Sequence, residues 1–141
     1  MNNKGFSLVE LLAVIVILAI IMSLGFVGFG SIHRASKEQM LKSKIESLET
    51  SAQKYGQERM NELNTSCKIG GKDYKFCKTV TVQTLLDSGD FESEESDKTG
   101  KKIVRNDVTN AQMNNDKVCI YKKNNRVYAL MYAKFEATDR C

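Results

Sequence analysis

The chain has 141 residues and a formal charge of +4, the size of one domain with an extension. Its mean hydropathy of −0.34 is that of a water-soluble head, so a strongly apolar stretch has to be confined to one place. Lysines and acids alternate with no polybasic block, which weighs against a nucleic-acid partner, and a single histidine, His33, with no Gly-rich phosphate loop leaves no catalytic set to assemble.

The chain opens with Met1-Asn2-Asn3-Lys4-Gly5-Phe6-Ser7-Leu8-Val9-Glu10 and runs straight into 22 uncharged residues, Leu11 to Ile32. As a helix that run is about 33 Å long, a match to a hydrocarbon core of about 30 Å. Glu10 is the anomaly. An ionised acid at the bilayer centre costs about 2.5–3.5 kcal/mol on insertion scales, so a chain that needed only an anchor would do better without it. The glutamate is therefore expected to act on something, and the natural candidate is another copy of the same helix. Three readings compete for the segment. A secretory signal has a passable cleavage site at Ser23-Leu24-Gly25, and a single-pass anchor has the right length. Neither accounts for Lys4, Gly5, Phe6 and Glu10 together.

Those residues carry the third reading. From Lys4 to about Phe29 the sequence resembles the class III signal of type IV pilins and pseudopilins. The resemblance implies cleavage by a prepilin peptidase between Gly5 and Phe6, N-methylation of Phe6, and an assembly role for Glu10. The freed Phe6 amine is cationic. Pairing it with Glu10 of a neighbouring subunit would satisfy both charges at the filament centre and set the axial stagger. Removing one member of such a pair typically costs about 3–5 kcal/mol, because the partner is stranded. In an isolated subunit still in the membrane, Glu10 would instead reach the headgroups. The resemblance further implies a membrane precursor with a cytoplasmic N-terminus and an extracellular filament after assembly. Its implied partners are the chain itself, the peptidase and, indirectly, an assembly platform with its ATPase. No cofactor or metal is implied.

Gly25, Gly28 and Gly30 each lower helix stability by about 1 kcal/mol relative to Ala. Related pilins often carry a proline near here, where this chain has Val27. The glycines read either as a softer hinge or as small residues that allow close helix packing.

Beyond His33 the helix is expected to continue to about Asn64. Leu41, Ile45, Leu48, Ala52 and Tyr55 are spaced 4, 3, 4, 3, an apolar stripe opposite Lys42, Lys44, Glu46, Glu49 and Lys54. The stripe suits a seam for a sheet; the heptads are few for a coiled coil. A helix continuous from Ser7 would be about 85 Å long.

Cys67 to Cys77 reads as a tight turn around Gly70-Gly71. Thr79 to Val82 follows as a strand, then a helical turn, Gln83 to Ser88, stopped by Gly89. Asp90 to Lys102 is a charged loop, and with Asp87 it brings six acids together. It lacks the Asp-x-Asp-x-Asp-Gly pattern of a calcium loop and reads as solvated. Ile103 to Val108 is expected to be a strand, and Lys117 to Lys123 with Arg126 to Phe135 a hairpin around Asn124-Asn125.

The cysteines, Cys67, Cys77, Cys119 and Cys141, contain no Cys-x-x-Cys pair, which argues against zinc. Their even count beyond the apolar run fits disulfides in an exported compartment. Three pairings are possible. Cys67–Cys77, closing a short loop, with Cys119–Cys141, tying the C-terminus to a strand, is the favoured one; by resemblance, a bridged C-terminal loop is common in type IV pilins. The expected organisation is a leader at 1–5, an apolar helix at 6–32, its amphipathic continuation at 33–64 and an α+β head at 65–141. In that head an antiparallel sheet packs on the second half of the long helix.

Overall fold

The computed structural model describes residues 7–26 and 29–141. It forms an α+β fold in which an N-terminal helical region precedes a four-stranded antiparallel sheet and a further short helix. Two compact units are distinguished, Met1–Lys37 and Glu38–Cys141.

From Leu8 onward, the described residues of the first unit are helical. Helix α1 runs Leu8–Phe26 and α2 begins at Phe29, and Val27 and Gly28 lie outside the described residues. Of the expected 22-residue span, Leu11 to Phe26 lie in α1 and Phe29 to Ile32 in α2. Helix α1 has 19 residues, about 28 Å. Among the described residues no helix is long and apolar enough to cross a membrane.

The second unit is built on the remainder of α2, which ends at Glu58 and is followed by a 3₁₀ turn, Met60–Glu62. Leu48, Ala52 and Tyr55 are buried, and Leu41 and Ile45 half-buried, against a sheet face of Val80, Val118, Ile120, Val127 and Met131. The 4-3 stripe is the seam between helix and sheet. The sheet contains β1 Thr65–Ile69, β2 Lys72–Thr81, β3 Lys117–Lys123 and β4 Arg126–Met131, in the order β1-β2-β3-β4 with every neighbour antiparallel.

Three local expectations are corrected. Residues 67–77 are a β-hairpin whose strands run well past the turn. Gly70 and Gly71 take φ of 56° and 75°, which glycine adopts without steric cost, so pairing extends from Ile69↔Lys72 back to Thr65↔Cys77 through a bulge. Ile103 to Val108 is not a strand. Ile103 and Val104 are buried, but their amides bond to Glu95 O and Asn114 Oδ1, and only an isolated bridge, Arg105↔Gln112, forms. Finally, β4 stops at Met131, and Tyr132–Lys134 form a 3₁₀ turn. The Met131 amide is taken by Glu49 Oε1 of α2 at 3.0 Å.

The remaining elements follow from local chemistry. Helix α3, Val82–Ser88, starts with Thr81 accepting from the Thr84 amide and ends on Gly89 at φ 77°. The β3–β4 turn places Asn124 and Asn125 at φ 46° and 63°, the paired positive angles of a type I′ hairpin.

Candidate functional site: the N-terminal helix

Helix α1 is apolar around its whole circumference. From Leu8 to Met22 its large side chains are 47–81% exposed, and Glu10 is its one charged residue. An all-round apolar helix needs cover, either from lipid or from sister helices.

Glu10 sits in the first turn in a defined geometry. The Ser7 amide donates to Glu10 Oε2 at 2.9 Å, the Glu10 amide donates to Ser7 Oγ at 3.3 Å, and Leu11 N donates to Ser7 O at 3.2 Å. This is a reciprocal capping box, and the carboxylate also lies at the positive end of the helix dipole. The pattern Ser7-x-x-Glu10 is legible in the sequence, yet the reading of Glu10 as an assembly group passed over it. The acid has a local partner while the subunit is alone. Gly5 and Phe6, the expected cleavage pair, lie outside the described residues.

In the head, Cys67 is joined to Cys77 and Cys119 to Cys141, each with Cα atoms 5.9 Å apart. The sulfurs of Cys67, Cys119 and Cys141 lie within 4.8 Å of one another, all spent in these bridges. On the same outer face Tyr74, Tyr121 and Tyr128 form a row across three strands, with ring centroids 4.9 and 5.7 Å apart. Burial, followed by the neighbouring Tyr74 and Tyr128 hydroxyls, pushes the Tyr121 phenol above its ordinary pKa. In the acidic loop Asp97 is an organising group: its Oδ1 accepts from Thr99 N, Thr99 Oγ1 and Lys101 N at 2.6–3.0 Å. The Thr99 contacts hold its carboxyl below the usual aspartate range. No sequence pattern points to the role of Glu49: besides the Met131 amide, it holds Lys134 at 2.7 Å.

Residues 1–26 match the family described as the prokaryotic N-terminal methylation motif. The chain carries the class III signal of type IV pilins and pseudopilins. Neither a curated protein nor a solved structure matches the chain. A class III signal marks a precursor held at the membrane, processed by a prepilin peptidase and then assembled into a filament. Proteins with this signal are structural subunits and are not known as enzymes.

Proposed function

We propose that the chain is the precursor of a type IV pilin, cut after Gly5, methylated on Phe6 and polymerised into a surface filament. The filament would serve adhesion, twitching-type motility or biofilm formation. The observation that carries this reading is a helix with exposed apolar side chains on every side and one carboxylate in its first turn. Lipid covers such a surface before assembly, and neighbouring copies of the helix cover it afterwards. Glu10 then exchanges its local cap for the Phe6 amine of a neighbour, an opposite charge in a medium of low dielectric constant.

The deciding experiment is mass spectrometry of filaments sheared from the producing cells. The expected product begins at Phe6, carries one added methyl group and dominates the filament fraction, and Gly5→Ala should leave residues 1–5 attached. A processed, methylated chain confined to the membrane fraction would favour a pseudopilin of a secretion or DNA-uptake machine, or a tethered binding domain. Retention of residues 1–5 in the wild type would overturn every version of the processing assignment.

A further inference from the structure

The two disulfides are close neighbours in one cluster of sulfurs. Cys67, Cys77 and Cys119 project from the outer sheet face, on the side opposite α2, into a second apolar cluster, and each is at least 95% buried. Cys141 reaches them on the returning C-terminal tail. Lys68 and Arg140 exchange both backbone hydrogen bonds, each 2.8 Å long, so the antiparallel register sets Cys141 opposite Cys67. A pair beside a doubly bonded one is of the non-hydrogen-bonded kind, with Cα atoms about 4.5 Å apart. That falls within the span of about 4.4–6.8 Å over which a disulfide forms. Cys77 and Cys119 are placed differently. Cys77 faces Tyr121 and Cys119 faces Thr79, so the two cysteines are diagonal neighbours about 7–8 Å apart, beyond the usual reach of a bridge.

We propose that these sulfurs form one exchange cluster in which Cys141 is passed from Cys119 to Cys67, so that the C-terminal tail stays covalently held after one bridge is reduced. In the first step a small dithiol reduces Cys119–Cys141 to two thiols and is itself oxidised to its cyclic disulfide. In the second the Cys141 thiolate attacks Cys67 Sγ. The Cys67–Cys141 bond forms as Cys67–Cys77 breaks, and Cys77 leaves as a thiolate that takes up a proton. This second step involves no net oxidation. Exchange needs a thiolate, a nearby disulfide and access. Cys141 is the partly exposed member of the set, so reductant enters on its side. Because Cys77 and Cys119 are too far apart to close a bridge, the exchanged form keeps them as two buried thiols.

The test is disulfide mapping of the full-length chain in detergent. Limiting dithiothreitol is added, exchange is quenched with acid, thiols are alkylated, and peptides are mapped by mass spectrometry without further reduction. The expected result is a monomeric one-bridge species in which Cys67 is linked to Cys141 and label sits on Cys77 and Cys119. One-bridge species containing only Cys67–Cys77 or Cys119–Cys141 would overturn the proposal. So would exchange that slows on dilution, because the step would then be between molecules. A second arm needs no reductant. In Cys119→Ser, label on the single free thiol should be divided between Cys77 and Cys141, and label on Cys141 alone would overturn the proposal.

Discussion

Gly56 is where one missing methyl group sets the helix–sheet distance. A Cβ built there would meet Ile120 Cγ2 at 2.5 Å and Val127 Cγ1 at 3.0 Å, and both partners are buried. Alanine would gain about 1 kcal/mol of helix propensity against about 1–3 kcal/mol for overpacking a closed core. Ile120 Cγ2 is a branch methyl in a fully buried side chain and cannot swing aside, so overlap wins. Gly56→Ala should lose up to about 2 kcal/mol in denaturant unfolding; a more stable variant would show that α2 can lift off the sheet at no cost. Asp97 acts through charge instead. Its pKa is lower folded than unfolded, so its contribution is complete above the ordinary aspartate value and fades as pH falls through the lower, folded one. The Thr99 and Lys101 amide resonances should titrate together with a midpoint below that of a free aspartate. Asp97→Asn should abolish the transition, and a midpoint at the free value would remove the assigned cause.

Among the elements, those fixed by neighbours in sequence were legible beforehand. The stripe from Leu41 to Tyr55 marked the face of α2 that packs on the sheet, and Asn124-Asn125 marked the hairpin, because residues that tolerate positive φ are few. Gly89 ended α3 for the same reason. The order of the segment between α3 and β3 was not legible, since it depends on where the fold places one side chain of that segment, Asn114. Asn114 is 3% exposed. Its Oδ1 accepts from Val104 N at 2.9 Å, and its Nδ2 donates to Gln83 Oε1 at 2.8 Å and Lys102 O at 3.0 Å. It takes the Val104 amide that a neighbouring strand would otherwise take, while Ile103 N bonds to Glu95 O and Asn106 N to Ala111 O, so Ile103 to Val108 forms no ladder. Asn114→Ala would leave the buried Val104 amide without its partner, at about 1–3 kcal/mol. Urea unfolding should show a loss of about 1–3 kcal/mol. A loss below about 0.5 kcal/mol, the range of an ordinary surface change, would mean that water enters and replaces the amide.

At the scale of the whole molecule, a compact disulfide-bonded head shares its chain with a helix whose described large apolar side chains are exposed. That division was visible in the first 32 residues, where charge is absent after Glu10. What the sequence reading left out was the Ser7 cap, and it bears directly on the proposed mechanism, because Glu10 then has two distinct tasks. One is to close the first turn of α1 through the Ser7 amide; the other, proposed here, is to neutralise a neighbour's Phe6 amine. Glu10→Ala removes both and cannot separate them. Glu10→Gln can, because glutamine serves at this position of a capping box but carries no charge. The expected outcome is a chain that inserts, is cut after Gly5 and is methylated, with α1 helicity unchanged by circular dichroism, and that yields few or no sheared filaments. In a medium of low dielectric constant an uncompensated amine is penalised far more than a lost amide contact, so glutamine should be nearly as damaging as alanine. Filaments at wild-type yield from Glu10→Gln, alongside their loss in Glu10→Ala, would assign the glutamate to helix capping and rule out charge pairing as the basis of assembly.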